Sequence, residues 1–531
     1  MPIRRLQSRN RSKVFWLGAP ALAQAKDQLS AHSFLSDELK GAPELPYDLV
    51  SSAAALVFTP NEVNAEDLVP VIRSSAARLL DHGCLVFILA SSGDTETRIR
   101  STLAKRNIPY VALTEPQRVF DGQQKAKPTV ASDLPLPHVR IYPAEYTSGM
   151  VLAAEIAQYA PRYVPAADTS GVFDITGAVG TDLCKKERLL LRRSFHDCFT
   201  VHLSRIDEGK SGAKTFIARA TPRPEVLELG LSPRIIPFFA KVGARAPIIK
   251  EWRNYEDFVR HQIPFHLAPR LDWGRCEIGA RLGILVGDFV DHSESLSTCA
   301  VTGRGSGIIR TLFDRTMREW QDRSEPVRGS LYRALRDSMG APRLISEERL
   351  NLAKEMGGVL SLEELQARIE SRPLDEEWLR GPIHGDLHTD NVRVRGSDAI
   401  LIDFFRTGLG PTLADAAALE ASIVFRAAGL SVPFDHEAWK RTAGGLYVSD
   451  TFRKATLKSD PRDAFHWIVD CVRQIRTHAL PQERTAGQYA TVLAYRLLYM
   501  AGRSDKNSGG DEYRRAFALV TAGSLLNTAW N

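Results

Sequence analysis

The sequence predicts two parts: an α/β domain built on a parallel sheet, then a larger α+β part with a strand-rich first lobe and a helical second lobe. Three observations carry this. Short apolar runs alternate with amphipathic stretches across residues 13–160, the pattern of a parallel sheet flanked by helices. From 187 to about 300, strand patterns follow one another with one helix among them. From about 305 onward the patterning is overwhelmingly helical, as in GIIRTLFDRTMREWQDR and TVLAYRLLYMAGR.

In the first part, KVFWLG (13–18), AALVFT (54–59), CLVFILA (84–90), PYVAL (109–113) and VRIYP (139–143) read as strands. EDLVPVIRSSAARLLDHG (66–83) and TETRIRSTLAKRNI (95–108) read as the helices between them. The outline resembles a flavodoxin-like or receiver-like parallel sheet. Its chemistry is missing, however. No GxGxxG follows the first strand, so a dinucleotide cradle is unsupported. A receiver needs a phosphoacceptor aspartate at the end of its central strand, where this chain has Thr59-Pro60, and the acidic pair after the first strand is absent. Residues 1–160 are therefore expected to form a non-catalytic recognition or scaffolding domain. A loop rich in Pro, Lys and Asp around 121–137 precedes its last strand. Residues 161–186, rich in Gly, Pro and Asp, read as a linker, 187–300 as the strand-rich lobe and 301–531 as the helical lobe.

Composition narrows the class. The 531 residues are 44% hydrophobic and 25% charged, which suits a soluble globular chain. The longest apolar runs are strand-sized, so no membrane association is expected. The net charge of +6 is modest, and part of it sits in Arg4, Arg5, Arg9, Arg11 and Lys13. A solvated terminus is favoured there over a nucleic-acid contact. Six cysteines lie scattered, without CxxC pairs or zinc-type clusters, as expected of reduced thiols in a cytoplasmic protein.

The helical part is interrupted at GPIHGDLHTDNVRV (381–394), followed nine residues later by a DFF triplet. Phosphoryl transfer needs a carboxylate to take the acceptor hydroxyl's proton, oxygen ligands for magnesium and a cation on the nucleotide phosphates. In kinases the base aspartate precedes a metal-binding asparagine by five residues, and a metal-binding aspartate follows a short hairpin. Here Asp386 precedes Asn391 by five, and VRVRGSDAILIDF reads as strand, turn and strand, with Asp403 at its end. His384 and His388 stand four apart, yet no third nitrogen or sulfur ligand lies nearby, so structural hydrogen bonding is favoured over zinc. Asp390 is expected to face solvent.

The run His384-Gly385-Asp386 to Asn391, with Ile402-Asp403-Phe404 after it, resembles the aminoglycoside phosphotransferase and choline kinase family, small-molecule relatives of the protein kinases. The resemblance covers residues 187–531 and implies a bilobal protein-kinase-like fold using ATP and Mg2+. It implies Asp386 as the base and Asn391 and Asp403 as metal ligands. Asp415, in GPTLADAAALEA, would brace the catalytic loop, although alanine stands where the family has leucine.

By the same resemblance, the loop in FTVHLSRIDEGKSGAKTFIARA (199–220) covers the phosphates through Gly209, Ser211 and Gly212. A P-loop reading fails because Ser204 occupies the place of its first glycine. Lys241, in IPFFAKVG, is expected to grip the phosphates. Glu251 or Glu256 would be its partner, with Glu251 favoured by its place near the helix start. The run 281–290 resembles the hinge bordering adenine, with Val286 and Asp288 beside the base. A further likeness, to kinase-like domains of bacterial multi-component conflict and signalling systems, rests on GKSGAK and the short Lys–Glu spacing.

Only eleven residues separate Asp403 from Asp415, and no A-P-E triplet follows, so a peptide-docking segment is absent and a small-molecule acceptor is favoured. Arg393, Arg395 and Arg406 near the loop argue against a polycationic antibiotic. They favour either an anionic acceptor or a solvated basic rim. The expected function is thus an ATP- and Mg2+-dependent phosphotransferase with a fused regulatory or partner-binding α/β domain. The competing reading is a pseudokinase-type nucleotide-binding adaptor in a bacterial signalling or defence complex.

Overall fold

The computed structural model describes residues 13–18, 35–39, 53–59, 85–89, 93–105, 110–112, 139–142 and 174–176. It also describes 183–529 apart from 196–197, 207–211, 223–236, 273–274, 279–281, 343, 359–360, 431–433, 449–451, 453–458 and 503–510. The expected helix at 66–83, the loop at 121–137 and the basic residues before Lys13 lie outside the described residues. The chain forms two compact units, residues 1–250 with 271–289, and residues 251–270 with 290–531.

The first unit holds two sheets. Six strands make the first: β1 (Lys13–Gly18), β2 (Leu35–Leu39), β3 (Ala53–Thr59), β4 (Leu85–Leu89), β5 (Tyr110–Ala112) and β6 (Val139–Tyr142). Their order is β2-β1-β3-β4-β6-β5, and every pairing is parallel. Buried parallel strands read as near-continuous apolar runs, and AAALVFT in β3 has that composition. Val57 and Ile141 are fully buried. Helix α1 (Gly93–Lys105) follows β4, with Asp94 and Glu96 in its first turn, where carboxylates complement the helix dipole. The parallel sheet agrees with expectation. The order differs from a flavodoxin-type order of 2-1-3-4-5, because β6 lies between β4 and β5. Strand β2 was not foreseen: LSDEL has one apolar residue at each end and a polar centre.

The second sheet has the order β11-β12-β10-β9-β8-β7. Its strands are β7 (Asp174–Thr176), β8 (Cys198–Arg205), β9 (Lys214–Pro222), β10 (Pro237–Ala244), β11 (Glu277–Ile278) and β12 (Leu282–Asp288). All pair antiparallel except β7, which runs parallel to β8. The stretch read as a linker therefore contributes a strand, and helix α2 (Lys185–Ser194) begins within it. Helix α2 packs on β12 and puts Leu190 and Leu191 into a core with Val201, Phe216, Ala240, Ile284 and Val286. Glu187 ties it down, accepting the Cys184 N–H at 2.8 Å and Lys214 Nζ at 2.9 Å. At its other end Arg275 donates to Ser194 O at 3.0 Å and lies over the rings of Phe195 and Phe238.

The second unit is mainly helical but carries two small sheets, one built on the hairpin expected between Asn391 and Asp403 and one that the sequence pattern hid. One joins β13 (Glu294–Ser295), β16 (Val392–Arg395) and β17 (Asp398–Leu401). The other joins β14 (Glu325–Arg328), β15 (Glu377–Ile383) and β18 (Gly408–Pro411). Helices α3 (Leu413–Ala421), α4 (His466–Ala479), α5 (Gln488–Ala501) and α6 (Asp511–Ala529) pack together behind them. Helix α3, LADAAALEA, is buried along its whole length, which its small alanines permit. Near its C-terminal end Glu420 forms an ion pair with Arg476 of α4, with both side chains at most 1% exposed. Tyr489 donates to Glu420 at 2.7 Å, and the Phe452 ring lies 4.3 Å from the Arg476 guanidinium carbon. Among the described residues, no helix is long and apolar enough to cross a membrane.

Candidate active site

Strand β15 delivers the chain to His384, where the loop begins. Gly385 has φ +73°, and a Cβ placed there would stand 2.4 Å from Arg406 O. Only glycine satisfies both the left-handed turn and the close approach. Asp415, in the first turn of α3, accepts the N–H groups of His384 at 2.6 Å and Gly385 at 3.0 Å. Burial raises the Asp415 carboxyl above its ordinary range, outweighing these two hydrogen bonds. The bracing role inferred for Asp415 has this geometric support.

His384 is fully buried, and its Nε2 donates to Ile402 O at 2.9 Å. That bond ties the loop to the residue before Asp403. Asn391 donates from Nδ2 to Asp386 O at 2.9 Å, and its own carbonyl accepts the Ile402 N–H at 3.0 Å. The β16–β17 hairpin pairs Val392 with Leu401, so its open end brings Asn391 and Ile402-Asp403 side by side. Asp403 sits in the left-handed region at φ 64°, uncommon for a residue with a side chain. Asp386, Asn391 and Asp403 thus belong to one connected piece of backbone. The donor set nearest the hairpin end, an amide oxygen and carboxylates, suits a hard cation such as magnesium.

His388 is half-buried, and its Nδ1 accepts the Asp390 N–H at 3.2 Å, with Arg426 Nη1 3.3 Å away. Burial lowers its pKa to about 4, so the ring is neutral near pH 7. Asp390 keeps a side chain 43% exposed, as expected, and also accepts Ser297 Oγ at 2.8 Å and pairs with Arg426. Arg393 is likewise engaged, donating to Ser293 Oγ at 3.1 Å and to Ser293 O. These bonds tie it to the loop that precedes β13. Arg395 is exposed.

The remaining sequence-derived candidates are distributed between the two units. Glu251 and Glu256 lie in the second. Glu256 pairs with Arg260 at 3.0 Å, whereas Glu251 is buried. In the first unit, Lys241 is buried in β10, between β9 and β12. Gly212 has φ +71°, as a tight loop requires, while Gly209 and Ser211 lie outside the described residues. Asp288 is exposed at the end of β12. Val286 requires correction as a base reader. Its N–H donates to Cys276 Sγ at 3.3 Å and its carbonyl accepts the Asp272 N–H at 2.9 Å, so the neighbouring chain has consumed its polar edge.

Two residues of the site were missed by sequence reasoning. Asn254 ends the helix Arg245–Asn254 and donates from Nδ2 to Phe404 O and Phe405 O. Arg496, on α5, places Nη2 3.3 Å from Asp386 Oδ1. Both lie more than a hundred residues from their partners, beyond the reach of any local motif.

A strand-rich lobe, a helical part and this loop–hairpin unit define a kinase-like phosphotransferase. Residues 315–439, which hold Asp386, Asn391, Asp403 and Asp415, match the family model described as the phosphotransferase enzyme family. No curated protein sequence matches the chain. Among solved structures, the chain is similar to the amicoumacin kinase hAmiN in complex with AMP-PNP, Ca2+ and Ami, at 11% identity, 61% of this chain, 88% of that chain and a TM-score of 0.32. A glucosamine kinase in complex with glucosamine, ADP and inorganic phosphate shares 12% identity over 60% of this chain and 93% of its own, with a TM-score of 0.32. A choline/ethanolamine kinase family protein from Mesorhizobium loti shares 13% identity over 62% and 92%, with a TM-score of 0.33.

Proposed function

We propose that the protein transfers the γ-phosphoryl group of ATP to a hydroxyl group of a small-molecule acceptor. In this reading Asp386 takes the hydroxyl proton as the acceptor oxygen bonds to the γ-phosphorus and the bridge to the β-phosphate breaks, releasing ADP. Asn391 and Asp403 would hold magnesium, which supplies charge neutralisation at the phosphates when bound. Lys241 would contact the phosphates, with Glu251 as its orienting partner, and the Gly212 loop would cover them. The solved relatives bound to AMP-PNP and ADP are in keeping with a nucleotide cofactor. The domain scheme proposed is 1–160, 161–186, 187–300 and 301–531, with the parallel-sheet domain regulatory or partner-binding and the whole cytoplasmic.

The observation that carries this reading is the Asn391 bridge between the Asp386 carbonyl and the strand leading into Asp403. It holds base and metal candidates in register before any ligand arrives. The test is ADP release with Mg2+ and an acceptor panel, comparing wild type with Asp386→Asn. Loss of a general base costs typically 10²- to 10⁴-fold in rate, so roughly that fall is expected. Equal rates in the two proteins would remove Asp386 from the chemistry.

A further inference from the structure

Arg496 lies on α5, with its side chain only 7% exposed. A guanidinium carries five N–H donors and a permanent charge, so burying one is costly unless anions or carbonyls meet it. Here Nη2 makes one long hydrogen bond, to Asp386 Oδ1 at 3.3 Å, and Nη1 is buried with no partner among the described residues. Beneath it the Tyr499 ring lies 5.5 Å from the guanidinium carbon. Arg406 lies 5.9 Å from the same ring, donates to Tyr499 OH at 3.2 Å and reaches Met339 O at 3.4 Å. Two cations therefore share one tyrosine beside the proposed base, and the one nearer the base has donor capacity unused.

We propose that the acceptor is a hydroxyl compound bearing a carboxylate or phosphate group, and that Arg496 pairs with that anionic group while the hydroxyl meets Asp386. The proposal rests on the phosphotransferase reading above. Charge complementarity supplies the selection. An anion arriving beside Arg496 gains charge-assisted hydrogen bonds, whereas an ammonium-bearing acceptor meets two guanidinium groups. Arg406 directs two of its donors to Tyr499 and Met339, whereas Arg496 is the one of the pair that touches Asp386, which makes Arg496 the specificity-determining residue.

The experiment uses the full chain and matched probes: glycerate, glycerol 3-phosphate, glycerol and glucosamine. Calorimetric binding is measured with and without Mg-ADP, and ADP release with Mg-ATP. Glycerate or glycerol 3-phosphate is expected to bind about 10- to 100-fold tighter than glycerol, the value of one or two hydrogen bonds to a charged group. The stronger of the two identifies carboxylate or phosphate as the group recognised. Arg496→Met should erase the preference of anionic over neutral probe, mainly through KM, and Arg496→Lys should restore part of it. A structural role would lower all probes alike. Binding of neither anion, a preference for glycerol or glucosamine, or an anion preference unchanged in Arg496→Met would overturn the proposal. Should the variants fail to fold, the wild-type preference alone decides. Absence of Mg-ADP binding would instead count against the phosphotransferase reading, and the ADP-free titrations would still judge Arg496.

Discussion

Asn254 donates its side-chain amide to two successive carbonyls, Phe404 O at 3.1 Å and Phe405 O at 2.9 Å. The Tyr255 ring meets Phe404 edge-on next to it, with centroids 6.1 Å apart. These contacts hold the backbone just past Asp403, whose left-handed conformation has to be paid for by its surroundings. Asn254→Ala removes both bonds. Stability should fall by about 1–2 kcal/mol in urea unfolding, and ADP release should fall further than that loss of folded protein explains, because Asp403 loses its restraint.

Gly385→Ala should be far more damaging than a surface glycine substitution such as Gly396→Ala. Both glycines have positive φ, yet an added Cβ at Gly396 meets nothing within 4 Å, while at Gly385 it meets Arg406 O at 2.4 Å. Backbone cannot step aside as a flexible side chain can. Activity in Gly385→Ala is expected to fall at least about 100-fold, as displacing a catalytic group by roughly 1 Å does, with Gly396→Ala remaining close to wild type. Similar ADP release from the two variants would contradict the close approach.

Removing the Asp415 carboxylate strands two buried N–H groups. Asp415→Ala should destabilise the protein by about 2–4 kcal/mol, each orphaned donor costing its desolvation. Asp415→Asn keeps one acceptor oxygen and should fall between. Thermal or urea unfolding of the three proteins measures the order directly.

The buried neutral ring of His388 predicts a pH dependence. The unfolded histidine takes its proton near pH 6.5, whereas burial lowers the folded value to about 4. Between these values the unfolded chain binds more protons. The contribution is therefore fully present above about pH 6.5 and is lost as pH falls toward 4. Comparing unfolding free energies at pH 7 and pH 4.5, wild type should lose about 2 kcal/mol more than His388→Gln. Parallel losses would show that His388 titrates normally.

Glu420 and Arg476 test the helical core apart from the site. Arg476→Met leaves a buried carboxylate that still accepts the Tyr489 hydroxyl but has lost its countercharge. A loss of about 3–5 kcal/mol is expected in urea unfolding. The double variant Glu420→Leu with Arg476→Met should recover much of it, because no unpaired charge remains.

The sequence by itself determined the parallel sheet, the strand-rich lobe and the constellation of His384, Asp386, Asn391, Asp403 and Asp415. Those features are local: alternating apolar runs, a five-residue spacing, and a hairpin whose Gly-Ser-Asp turn closes the two strands between Asn391 and Asp403. Tertiary structure decided what depended on chain segments far apart. It inserted β6 between β4 and β5, made a strand of Asp174–Thr176 within the expected linker, and used the Val286 polar edge to hold Asp272 and Cys276. It also gave Asp390 and Arg393 their side-chain partners and brought Asn254 and Arg496 to the loop. The physical reason is the same throughout. Spacing along the chain dictates which groups one turn or hairpin can bring together, but hydrogen-bond partners and buried charges are settled by packing between elements that share no sequence neighbourhood.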